Sequence, residues 1–166
     1  MVIQINTDDL ETKTIEGICQ RIKDAEVIKQ LAKTDNVQLA IKLADNQFAD
    51  PDTLGVLFLK FIKCEQLAIN LACNSQTSVR TRCEIAGLYA NNYNVMSALC
   101  EADETTLEVL WDVFNCTQSE SVAKCIIYAQ DVNDQLLTAI ANKYPRLVPD
   151  IMREWDVEVA VTTKSE

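Results

Sequence analysis

The chain has 166 residues, 48% of them hydrophobic and 24% charged, with a formal net charge of −10 and no histidine. That length suits one domain with its own core, and the composition is that of an ordinary soluble globular protein. Three glycines and three prolines are too few for the turns of a β-sandwich or a nucleotide-binding α/β domain, so an all-α fold is expected.

The first residues, Met1 to Ile5, alternate in the manner of a strand. Residues 1–7 are therefore read as an extended segment. They lack the basic start and long apolar run of a secretory leader, and no stretch approaches the roughly 20 apolar residues of a membrane span. A cytoplasmic location without membrane attachment is the expectation.

From residue 8 to residue 155 the apolar residues recur at helical spacing, interrupted often. Asp50 followed by Pro51 marks an N-cap with proline at the first helical position. Thr105 with Glu108, and Thr117 with Glu120, fit the capping box. Asn74, the run Asn91 to Asn94, and Asn142 read as chain reversals, since asparagine tolerates the left-handed conformation that ends helices. These breaks predict about eleven helices of roughly 8 to 13 residues, each marginal alone and dependent on its neighbours.

A repeat organises them. QLAIKLADN at residues 38–46 and QLAINLACN at residues 66–74 share seven of nine letters. Apolar helices are expected to open near Val37, Glu65, Asn94 and Ser121, at steps of 27 to 29 residues. A step held through several helix breaks indicates helix pairs stacked side by side. In residues 78–88, SVRTRCEIAGL, the pair Val79 and Arg80 opens a helix whose small residues Cys83 and Ala86 follow. This stretch resembles HEAT-type and leucine-rich-repeat-variant units. The resemblance implies a right-handed α-solenoid-like stack of short helix pairs that holds partners, and it implies no chemistry.

Seven cysteines occur, an odd number, never as C-x-x-C. Their spacing does not suit a zinc site or an iron–sulfur cluster. Most stand among Ile, Leu and Ala, so they are expected to be small buried thiols, Cys73, Cys83 and Cys125 included. Without histidine there is no histidine base or Ser-His pair, and the three separated glycines form no phosphate loop. The expectation is a protein that is not an enzyme and has no cofactor and no metal.

Charge is the sharper signal. From Cys83 through Ala123 there is no Lys or Arg, while seven acidic residues occur. Glu104, Glu108 and Asp112 stand four apart, which sets them on one ridge of a helix whose Leu107, Leu110 and Phe114 should point inward. Trp111 borders that ridge. With Glu101 and Asp103 these residues form the candidate binding set: Glu101, Asp103, Glu104, Glu108, Trp111 and Asp112. An aromatic ring beside carboxylates suits a protein partner with a basic surface, whereas nucleic acid would be repelled. Two functions fit: an adaptor or scaffold, or a small acidic inhibitor of the immunity or phage counter-defence type that blocks a nuclease or nucleic-acid-binding protein. Residues 156–166, with alternating Val157, Val159 and Val161, are read as an extended or flexible tail able to form a strand.

Overall fold

The computed structural model describes residues 11–156. These residues form α1 (Thr12–Arg21), α2 (Ala25–Leu31), α3 (Val37–Ala44), α4 (Pro51–Lys60), α5 (Glu65–Cys73) and α6 (Val79–Leu88). They continue as α7 (Tyr93–Glu101), α8 (Leu107–Cys116), α9 (Glu120–Ile127), α10 (Asp134–Lys143), a 3-10 turn (Pro145–Leu147) and α11 (Val148–Trp155). No strand occurs among the described residues. The strands expected near the two ends fall at residues 1–7 and 157–161, outside the described residues. Of the expected tail only Asp156 is described; its left-handed φ of 48° ends α11. No helix among the described residues is long and apolar enough to cross a membrane.

The helices are shorter than the sequence suggests, from 7 residues in α2 to 10 in α1 and α4. At that length burial of one face must hold them. The matched nonapeptides show how. Leu39, Ala40, Leu43 and Ala44 are buried in α3, and Leu67, Ala68, Leu71 and Ala72 hold the same places in α5. Val95, Met96, Leu99 and Cys100 repeat the pattern in α7, as do Val122, Ala123, Ile126 and Ile127 in α9. Each large side chain taken from water contributes about 1.5–3 kcal/mol, and the small residue beside it lets the neighbouring helix approach closely.

The chain divides into two compact units, residues 1–81 and 82–166. In the first, α3 lies between α1 and α5 and both α3 and α5 touch α4. In the second, α9 lies between α7 and α11 and both α7 and α9 touch α8. The odd-numbered helices thus form a row within each unit. They begin at Val37 and Glu65 in one, and at Tyr93, Glu120 and Val148 in the other, so the expected openings near Asn94 and Ser121 fall one residue early.

Most helix starts carry a side-chain cap, whereas α1, α5 and α11 have none. Asp50 accepts from Thr53 N at 2.9 Å ahead of Pro51, as the sequence predicts. The two capping boxes are displaced. The caps are Thr106 and Ser119, accepting from Val109 N and Val122 N. Thr105 and Thr117 are buried and turned to other work: Thr105 Oγ1 donates to Leu99 O at 2.6 Å, and Thr117 Oγ1 accepts from Ser119 N at 3.0 Å.

The asparagines also act differently from expectation. Asp156 is the one non-glycine residue with positive φ among the described residues, so no asparagine there ends a helix by a left-handed turn, and Asn142 lies within α10. Asn46 and Asn74, the last letters of the matched nonapeptides, use their side chains instead. Asn46 Nδ2 donates to Cys19 O and Ile22 O, both at 3.2 Å, at the end of α1. Asn74 Nδ2 donates to Ala44 O at 2.8 Å and Asn46 O at 3.1 Å, at the end of α3. Each Oδ1 also accepts a backbone amide two residues on, from Phe48 and Gln76. A buried amide so placed satisfies the carbonyls that a helix end leaves over.

Candidate functional site

The acidic candidates lie on α7, α8 and the turn that joins them. Glu101 is exposed at the end of α7, Asp103 and Glu104 are exposed in the turn, and Glu108 is exposed in the first turn of α8. Asp112 is half-buried one turn later. The inward face of α8 is Val109, Leu110, Val113 and Phe114. Leu107, expected inside, is half-buried because the helix begins there. Trp111 is half-buried at the border, its ring meeting Phe114 edge-on at 5.9 Å and 78°. It is therefore neither wholly core nor wholly surface; one part leans on Phe114 and the rest is open beside the ridge.

Two residues that sequence reasoning missed support this ridge. Arg82 in α6 is 2% exposed, and its guanidinium donates to the carbonyl oxygen of Glu104. A cation buried immediately before the lysine-free stretch thus anchors the turn that carries Glu104. The resemblance had drawn attention to Arg80, which is exposed; two residues along a helix is a rotation of about 200°, enough to exchange the faces. Cys83, the next residue, lies near Asp112. Burial and the neighbouring carboxylates of Asp112 and Glu108 push the Cys83 thiol up to about 12.

Glu101 belongs to a different surface. With Tyr93, Cys100, Ser121, Lys124, Cys125 and Tyr128 it lines a cleft of about 380 Å³ along α7 and α9. The Tyr93 hydroxyl lies 3.6 Å from Cys125 Sγ. At the rim Lys124 pairs with Asp150 at 3.0 Å, and Arg153 bonds both Asp150 and, at 3.2 Å, the Tyr128 hydroxyl. The predicted set thus divides: Glu108, Trp111 and Asp112 share a face of α8, Asp103 and Glu104 lie in the turn ahead of its cap Thr106 and not on the helix, and Glu101 lines the cleft.

The thiols depart from expectation. Cys19 and Cys100 are buried, but Cys73 is exposed and Cys83 and Cys125 are half-buried. Cys73 follows the buried pair Leu71 and Ala72, and the next 100° of helical rotation carries it outward. Cys125 likewise falls between the buried Ala123 and Ile126. Apolar neighbours in sequence do not place a helical residue; its angle does. No group of three or more Cys, Asp or Glu side chains is arranged to hold a metal ion among the described residues.

Comparisons with known proteins find no family, no curated protein and no solved structure that this chain matches.

Proposed function

We propose that this chain is a non-enzymatic helical-repeat protein, each unit a short right-handed stack of helix pairs of the α-solenoid kind, which binds a protein with a basic surface. Charge segregation carries the reading. Residues 1–81 hold 11 acidic and 9 basic residues, a balance of −2, whereas residues 82–166 hold 14 and 6, a balance of −8. Within the second unit Glu108 and Asp112 share a face of α8 with the partly open Trp111, and Glu104 precedes them in the turn. Clustered charge raises association rates by about 10 to 10³, and an aromatic ring at its edge supplies area for an anchor. The helix starts, recurring at 27 or 28 residues from α3 to α11, support the repeat. The same balance of −8 also suits the second reading, an acidic inhibitor that covers the basic groove of a nuclease or nucleic-acid-binding protein.

The test is a pull-down from the source cells at low and at high salt, comparing the native chain with Glu104→Lys/Glu108→Lys. Both residues are exposed, so folding should change by less than about 0.5 kcal/mol. Captured basic proteins should be lost from the variant and released from the native chain by salt. Equal capture by both proteins would overturn the reading. An inhibitor is distinguished by its effect: the captured nuclease or nucleic-acid-binding protein loses activity when the native chain is added.

A further inference from the structure

The first two row helices of each unit border a cleft, and the two clefts differ in what serves them. The cleft along α1 and α3 holds about 390 Å³, with Glu16, Phe48 and the buried Cys19 in its lining. Two lysines of the chain itself meet the acid and the ring. Lys42 pairs with Glu16 at 3.3 Å, and Lys23 lies 5.9 Å over the Phe48 ring.

The cleft along α7 and α9 offers the same kinds of group: the Glu101 carboxylate, the rings of Tyr93 and Tyr128, and the buried Cys100. Its cation is missing. The buried faces of α3 and α9 correspond, Leu39, Ala40, Leu43 and Ala44 against Val122, Ala123, Ile126 and Ile127. That register sets Cys125 where α3 has Lys42. Lys124 also lines the cleft, but it is drawn to Asp150 at 3.0 Å. Arg153 is held by the same carboxylate and, at 3.2 Å, by the Tyr128 hydroxyl. Among the described residues Glu101 has no ion-pair partner, and no cation lies over the ring of Tyr93 or Tyr128. Both rings are open to a visitor, at 51% and 45% exposed.

We propose that the cleft along α7 and α9 receives an arginine side chain of the protein partner, its guanidinium on the Glu101 carboxylate and against the Tyr93 and Tyr128 rings. The incoming cation takes the part that Lys42 and Lys23 play in the first unit. Arginine fits this role better than lysine, because its planar and weakly hydrated head both forks onto a carboxylate and stacks on an aromatic face. The balance of −8 in the second unit favours a cation there over an anion. The proposal rests on the reading of a basic protein partner, and names the side chain that the partner offers.

The probe is N-acetyl-arginine amide, titrated into the isotope-labelled full chain and followed by two-dimensional NMR. A single side chain is a weak ligand, so a Kd of about 1–10 mM is expected. The shifted amide signals should be those around Tyr93, Glu101 and Cys125. The citrulline analogue, which has the same shape without the charge, should shift none of them. Glu101→Gln should weaken binding about tenfold or more, and Tyr93→Ala should weaken it about threefold or more. Tyr93→Phe keeps the ring and should bind as the native chain does. All three variants alter exposed side chains, and their circular dichroism should be unchanged. Silence of the cleft signals, an equal response to the citrulline analogue, or binding untouched by Glu101→Gln would each overturn the proposal. The pull-down separates it from the reading on which it rests. Basic proteins lost from Glu104→Lys/Glu108→Lys but held equally by Glu101→Gln would leave the partner standing and remove the arginine from this cleft. With no basic protein captured at all, the partner fails, and the titration still decides what the cleft accepts.

Discussion

In residues 1–81 an asparagine amide joins each helix of the row to the one before it, Asn46 reaching the end of α1 and Asn74 the end of α3. In residues 82–166 the corresponding positions are the buried Ala102 and Ala129, and other side chains do the work. Lys143 Nζ donates to Thr117 O at 2.8 Å and Phe114 O at 3.4 Å, and lies 4.9 Å over the Phe114 ring. Trp155 Nε1 donates to Ile127 O at 2.7 Å. The difference teaches that the step between helix pairs is fixed by carbonyl groups that must be satisfied, and that the donor is free to vary. It also explains why the nonapeptide match is strong in the first unit and fades in the second.

The comparison can be broken most forcefully at Asn74. Asn74→Asp keeps the shape but replaces two donors with a carboxylate facing two carbonyls. A loss of about 3 kcal/mol in urea unfolding is expected; a loss below about 1 kcal/mol would show that the amide is incidental. In the second unit Lys143→Met keeps the apolar stem but removes the hydrogen bonds and the cation over Phe114. It should cost about 1–2 kcal/mol, less than Asn74→Asp because water can reach the end of an exposed lysine's partner groups.

Asp50→Ala in the first unit should cost about 1 kcal/mol. Partial burial acts to raise the Asp50 pKa, but hydrogen bonds from the Thr53 amide and hydroxyl prevail and hold it below the usual 3.8. A depressed folded value means the stabilisation is present above about pH 4 and is lost as pH falls through that folded value. The gap between native and variant proteins should therefore close in acid. The smallest effect on stability, though a clear one on reactivity, concerns the thiols. At pH 8 Cys73 should be alkylated quickly and Cys83 slowly, and Asp112→Asn should speed Cys83 by removing a negative charge beside it. Equal rates at Cys83 in both proteins would show that Asp112 does not govern that thiol.

Much of this architecture was legible in the residues. The Leu and Ala spacing of residues 38–46 and 66–74 placed the buried faces of α3 and α5, and Asp50 with Pro51 marked the start of α4. The role of Asn46 and Asn74 was not legible, because their partners lie 24 to 30 residues away and no local pattern announces a long-range donor. Thr105 and Thr117 misled for the opposite reason: a local motif was present, but burial gave each hydroxyl another use. At the candidate site the spacing of Glu108 and Asp112 put both on one face of α8, but Glu104 falls in the turn before the cap Thr106, where helical spacing does not apply. The anchoring by Arg82 could not, since burial of a cation depends on a turn 22 residues further on.

The long-range fasteners have a direction. Asn46, Lys60, Asn70, Asn74, Lys143 and Trp155 all donate to carbonyls earlier in the chain, at separations from 24 to 30 residues, while Arg82 reaches forward. During synthesis on a ribosome a helix pair would thus emerge with its closing carbonyls still facing water. The side chain that seals them arrives roughly 1–6 s later at ordinary elongation rates. Folding in the first unit is therefore expected to trail translation by one helix pair, each newly made pair finishing the one made before it.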